Sequence, residues 1–188
     1  MRIFVAIDIP AEIRQRIRDL TEALKPITAR VRWSRAEALH VTLKFIGEIS
    51  STRTEEVKAC LSPVRMLFPI PLKIRGSGYF PNDRSPRVIW LGIEAGTELA
   101  NLAARVEESL VPLGIQKEER PFSPHLTLGR LRNPDKIPAV QEFLRQHDPL
   151  ELGSFTAREF FLYESKLSPE GSQYQKLARF PLASEIPE

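Results

Sequence analysis

Apolar and polar positions along the chain follow two periods, and the change from one to the other marks the elements. Residues 2–9 form a short apolar run that predicts a buried strand. Pro10 suits the first turn of a following helix, where a missing N–H costs nothing. Ile13, Ile17, Leu20 and Leu24 recur at spacings of four, three and four, one apolar stripe of a helix that Lys25-Pro26 ends. A short strand is predicted at Val31–Ser34. His40 to Ile46 alternates with period two, as a half-buried strand does. Thr52 and Glu55 have capping-box spacing before a second helix carrying Val57, Cys60, Leu61 and Val64. Strands are predicted at 70–80 and 87–93, joined by the turn residues Pro81 to Pro86. A third helix runs from Glu98 to Leu113 and is closed by Gly114. His125–Leu131 reads as a strand and Ile137–Gln146 as a helix. Strand patterns at Leu152–Glu164 and Tyr174–Pro181 complete the chain.

One pattern occurs twice. His-Val-Thr-Leu at 40–43 returns as His-Leu-Thr-Leu at 125–128, an offset of 85 residues. The same offset carries Arg2-Ile3-Phe4-Val5 onto Arg87-Val88-Ile89-Trp90, and the helix at 11–25 onto roughly 96–110. The helical phases match only in part, Ile17 with Leu102 but Leu20 with Arg105. The order strand, helix, motif strand therefore repeats in register. An internal duplication giving two lobes related by a pseudo-two-fold axis is the expectation, with residues 1–188 as one two-lobed domain.

Composition narrows the class. The 188 residues are 42% hydrophobic and 27% charged, with a net charge of +3, which excludes global disorder. No apolar stretch approaches the roughly 18 residues of a membrane span. Asp8 interrupts the opening apolar run, so a signal peptide is not expected. Cys60 is the single cysteine, which excludes an intrachain disulfide and a cysteine-based zinc site. A soluble cytoplasmic protein is the expectation. Arg14, Arg16, Arg18, Lys25, Arg30, Arg32 and Arg35 make a basic segment, either a polyanion surface or a solvated helix face.

The candidate chemistry lies in the repeat. Two of the three histidines occupy the same tetrapeptide pattern. Residues i and i+2 of a strand share a face, so His40 and Thr42 point one way with Lys44 beyond them, while Val41 and Leu43 point to a core. His125 and Thr127 repeat this against Leu126 and Leu128. Two imidazoles across a gap suit acid–base chemistry, one neutral to accept a proton and one charged to donate it. Two threonine hydroxyls suit the non-bridging oxygens of a phosphate, where attack and departure lie in line. Phe45 and Arg130 stand five residues after their histidines, and strict alternation turns both away from the histidine face. Phe45 then reads as core rather than as a base-stacking platform. Arg130 is either swung into the cleft by a bulge to meet phosphate or left snorkelling at a sheet edge. His147 reads as structural. Gly76-Ser77-Gly78 reads as a strand bulge rather than a phosphate loop.

These motifs resemble the 2H phosphoesterase superfamily, and within it the RNA 2′,3′-cyclic phosphodiesterase or 2′-5′ RNA ligase family. The resemblance rests on Arg2 to Pro10, His40-Val-Thr-Leu-Lys-Phe-Ile-Gly47 and Gly76-x-Gly78-x-Phe80-Pro81. It also rests on Pro86-Arg-Val-Ile-Trp-Leu-Gly92, on Pro121-Phe-x-Pro-His125-Leu-Thr-Leu-Gly-Arg130 and on Glu164-Ser-x-Leu-Ser-Pro-x-Gly-x-x-Tyr174. It implies an α+β fold of two pseudo-symmetric lobes, each an antiparallel β-sheet with helices outside, facing a central cleft. It implies hydrolysis of an RNA 2′,3′-cyclic phosphate end to a 2′-phosphate, with reversible 2′-5′ ligation as a related reaction. His40 would be the proton donor and His125 the acceptor, with Thr42, Thr127 and Arg130 on phosphate and Phe45 on substrate. No cofactor, metal, ATP or membrane is implied, and a monomer is expected. The alternatives are a small cyclic nucleotide or ADP-ribose cyclic phosphate as substrate, or an RNA-end binding protein without turnover.

Overall fold

The computed structural model describes residues 1–133, 136–168 and 171–183. Pro169 of the C-terminal motif therefore lies outside the described residues. The apolar run at the start forms β1 (Arg2–Asp8), and Pro10 caps the N-terminus of α1 (Ala11–Leu24). The helix tightens into a 3₁₀ turn at Lys25–Ile27, because Pro26 removes the next donor. β2 (Val31–Trp33) leads to the motif strand β3 (His40–Glu48). α2 (Ser51–Leu61) is capped by Ser50, whose side chain accepts from Arg53 N at 3.3 Å, two residues before the expected Thr52. Strands β4 (Ile70–Phe80) and β5 (Val88–Ala95) precede α3 (Thr97–Leu110). The second motif strand is β6 (His125–Leu131), followed by α4 (Pro138–Gln146). The pattern expected at 152–164 is two strands, β7 (Glu151–Ala157) and β8 (Glu159–Ser168), before β9 (Gly171–Pro181).

The strands make two antiparallel sheets, one ordered β3-β1-β8-β9 and the other β2-β6-β5-β4-β7. The lobes are not the two halves of the sequence. β1 and β3 share a sheet with β8 and β9, and β2 crosses to pair with β6. In both sheets the motif strand pairs with the strand that precedes the amphipathic helix. One continuous core joins Ile3, Val5 and Ile7 of β1, Ile89 and Leu91 of β5, and the buried stripes of α1 and α3. Burial of such side chains supplies roughly 1.5–3 kcal/mol each.

The register revises the repeat. His40 pairs with Asp8 and His125 with Gly92, so β1 maps onto β5 at an offset of 84 rather than 85. The correction matters because a one-residue slip reverses every side chain. Phe4 corresponds to Val88, not to Ile89, which is fully buried in the core. The helices map at 86. Ile13, Ile17, Leu20 and Leu24 then fall on Leu99, Ala103, Val106 and Leu110, all buried, and the apparent phase mismatch disappears. Loops before and after the helix absorb the difference, which supports the proposed duplication.

Both motif strands carry a bulge at the same place. β1 runs without interruption while Leu43 is inserted between the partners of Val5 and Ala6. Leu128 is inserted likewise between the partners of Ile89 and Trp90, 85 residues on. A bulge places two successive residues on one side and reverses the alternation beyond it. Leu43 and Lys44 are therefore both buried, and Phe45 emerges on the face of Thr42, 43% exposed. Leu128 and Gly129 are both buried, and Arg130 emerges on the face of Thr127. Two expectations are corrected by this geometry. Phe45 is not core, and Lys44 does not share the histidine face.

Lys44 instead reaches away from the site. Its side chain is 3% exposed and donates to Glu107 Oε1 at 2.8 Å and to the Gln116 carbonyl at 2.7 Å. Glu107 also accepts from Glu118 N at 2.9 Å. Burial pushes the Glu107 carboxyl up, but the Lys44 and Glu118 hydrogen bonds prevail and hold it below its ordinary value. The ion pair ties the motif strand to α3 and to the segment that leads into β6. Removing one partner of a buried pair leaves the other uncompensated. Lys44→Met is expected to destabilise the fold by about 3 kcal/mol in urea denaturation.

Candidate active site

β1 and β5 fix which side chains share a face with the histidines. Phe4, Ala6 and Asp8 alternate on one face of β1, and their partners are Phe45, Thr42 and His40. Val88, Trp90 and Gly92 do the same on β5, with partners Arg130, Thr127 and His125. Each sheet thus presents a histidine, a threonine and a third side chain in one row, turned away from the core. Thr42 is exposed and Thr127 partly so. Cα atoms of β3 and β6 come within 8 Å of each other.

Each imidazole is oriented by the backbone two residues before it. His125 Nδ1 lies 2.8 Å from the Ser123 carbonyl, and His40 is hydrogen-bonded to the carbonyl of Ala38. Such a bond fixes the protonated nitrogen and leaves the other one for chemistry. Aromatic walls hold both rings. His40 stacks on Phe4 with centroids 4.5 Å apart and meets the edge of Tyr174 at 5.0 Å. His125 meets Phe80 edge-on at 5.1 Å, beside Trp90. Gly78 makes this second wall possible. A Cβ there would stand 2.1 Å from Trp90 Cζ2, so only glycine lets the indole lie across β4. Gly76, at φ +75°, sits in the bulge of β4 that brings Gly78 opposite Trp90.

The two histidine environments differ. Beside His40, Asp8 accepts from Arg14 and Lys176, and Tyr163 closes a pocket of about 340 Å³ with Tyr174 and Glu37. Burial lowers the His40 pKa to about 4, against opposing contributions from the Ala38 carbonyl and Asp8. His40 is therefore neutral in the free protein near pH 7. Burial also pushes the Tyr163 phenol up, and Asp8 adds to it. The place of Asp8 is taken by Gly92 beside His125, so no carboxylate stands at the corresponding register position. Sequence reasoning does not pick out Asp8, Arg14, Tyr163, Tyr174 or Lys176 as site residues, and they meet from four elements. The motif that runs from Glu164 to Tyr174 is the one available signal for Tyr174.

His147, at the end of α4, has Nδ1 2.7 Å from the Phe143 carbonyl and its ring stacked on Phe143. Cys60 packs at the edge of the core. Among the described residues, no three His, Cys, Asp or Glu side chains gather into a metal-binding group, and no helix is long and apolar enough to cross a membrane.

Two antiparallel sheets in an α+β fold, each presenting a His-x-Thr strand, define a phosphoesterase fold. A solved protein of Thermus thermophilus matches with a TM-score of 0.82 at 28% identity, covering 98% of this chain and 100% of that one. Escherichia coli LigT complexed with 3′-AMP matches with a TM-score of 0.77 at 28% identity, covering 97% and 98%. Residues 9–168 match the 2′-5′ RNA ligase superfamily, and the chain belongs to that family. It is similar to the RNA 2′,3′-cyclic phosphodiesterase of Archaeoglobus fulgidus, 35% identical over 96% of this chain and 99% of that protein. It is also similar to the protein of that name from Methanothermobacter thermautotrophicus, 32% identical over 97% and 99%.

Proposed function

We propose that the protein hydrolyses RNA 2′,3′-cyclic phosphodiester ends to 2′-phosphomonoesters, with His40 and His125 as general acid and base and without a metal. The observation that carries this reading is the pair of bulged His-x-Thr strands, each with its ring anchored on the carbonyl two residues earlier. Relatives named for that activity match nearly end to end.

His125 keeps a proton on Nδ1 for the Ser123 carbonyl, and its Nε2 takes the proton of the attacking water. The new P–O bond forms as the bond from phosphorus to the ribose 3′-oxygen breaks. His40 gives its proton to that oxygen, leaving the phosphate on the 2′-oxygen. Thr42 and Thr127 donate to the non-bridging oxygens, and Arg130, on the same face, supplies positive charge to the phosphates of the bound RNA. The free protein holds His40 neutral, so the acid must be charged on binding. An anionic phosphate arriving beside it favours the imidazolium, and substrate binding takes up a proton. A 5′-hydroxyl in place of water gives 2′-5′ ligation by the same displacement.

The test is to incubate the protein with a cyclic-ended oligonucleotide in excess chelator and read the product by phosphorus NMR. A 2′-phosphate formed at an undiminished rate is the expected result. A 3′-phosphate, or a rate restored only by added metal, would overturn the reading.

A further inference from the structure

We infer that Arg32 and Arg130 together hold the phosphodiester one nucleotide upstream of the terminal cyclic phosphate, so that the site selects an RNA chain over a mononucleotide. The inference rests on the proposed activity and adds a substrate-reading residue, Arg32, from outside both motifs. β2 crosses from the other half of the chain to lie against β6, and its register sets Arg32 directly opposite Arg130. Val31 and Trp33, on either side, pack on the core, and a Cβ at Gly129 would meet both of them. Arg32 is therefore turned to the other face, the one that carries Thr127 and His125, and it is exposed.

Like charges directly opposite on a sheet repel and are ordinarily relieved by a carboxylate. Here neither guanidinium has an ion-pair or hydrogen-bond partner among the described residues. Elsewhere a group of basic side chains is neutralised. Arg14, Arg18, Lys44, Lys73, Arg75 and Arg179 all have acidic partners. A cross-strand pair of uncompensated guanidiniums is matched by a phosphate oxyanion, which accepts from both at once.

Position along the strand selects which phosphate. With Leu128 bulged out of register, Arg130 stands two strand steps from Thr127, through partners Trp90 and Val88. Two steps span about 7 Å. That is the separation of neighbouring phosphates along an extended nucleotide chain, so a phosphate seated between the two arginines is spaced as the neighbour of one held at Thr127. Arg32 also lines a groove of about 470 Å³ together with Arg132.

The experiment compares a dinucleotide and a mononucleotide, both ending in a 2′,3′-cyclic phosphate, in the wild-type protein and in Arg32→Gln and Arg32→Lys. Arg32→Gln is expected to lower the dinucleotide-to-mononucleotide ratio of kcat/KM about tenfold, chiefly through KM. The dependence of log kcat/KM on log salt for the dinucleotide should become shallower by about 0.7. Arg32→Lys should keep that salt dependence. An equal fall on both substrates, or an unchanged ratio, overturns the inference. If the wild-type protein turns over neither substrate, the activity reading fails on its own. The inference is then decided by binding of a dinucleotide 2′-phosphate, which Arg32→Gln should weaken about tenfold with the shallower salt slope.

Discussion

His125→Ala is expected to lower turnover of a cyclic-ended oligonucleotide by about 10²–10⁴, and His40→Ala to do the same, with the fold intact in both. The magnitude follows from the loss of one proton transfer at a transition state whose attacking and leaving oxygens each need a partner. Neither ring belongs to the main core. His40 packs on the Phe4, Tyr163 and Tyr174 cluster and His125 on Phe80, so truncation leaves the sheets in place. The double variant is expected to lose little more than the worse single one, because removing either partner already breaks the concerted displacement. Steady-state kinetics alongside circular dichroism and urea midpoints check this. A single variant with wild-type turnover removes that histidine from the chemistry.

Thr42→Val and Thr127→Val are each expected to lower kcat by about 10²–10³. Valine keeps the branched shape and removes only the hydroxyl. The two residues occupy equivalent positions beside Ala6 and Trp90 in their sheets, so the two losses should be of similar size. A fall in kcat with little change in KM marks an interaction made in the transition state. A rise in KM alone would make the hydroxyls simple binding groups.

Much of the molecule is legible in its sequence because periodicity reports directly on burial. The stripe Ile13, Ile17, Leu20, Leu24 and the alternation Val41, Leu43 are the core faces observed. What alternation does not report is a bulge. One inserted residue at Leu43 and one at Leu128 reverse the parity beyond them. Phe45 and Arg130 thus reach the histidine face, and Lys44 goes to the Glu107 ion pair. Arg130 carries a hint, being charged where its parity mates Leu126 and Leu128 are apolar. A single offset of 85 also hides how the repeated pattern maps onto itself, since strand and helix drift to 84 and 86. The cluster around His40 is illegible for another reason. Asp8, Arg14, Tyr163 and Lys176 are separated by up to 168 positions and meet only because β8 and β9 return to β1. Non-local pairing of that kind leaves no local pattern.

The pH dependence of kcat in the wild-type protein and in the two histidine variants tests the division of labour most directly. Burial lowers the free His40 pKa to about 4, so the proposed acid role requires phosphate binding to raise it. In the complex the acid must keep its proton and the base must have lost it, which gives a bell. The expected result is that His40→Ala loses the alkaline limb while His125→Ala loses the acidic one. If both variants keep the whole bell, or the limbs are lost the other way round, the two imidazoles do not act as this acid and this base.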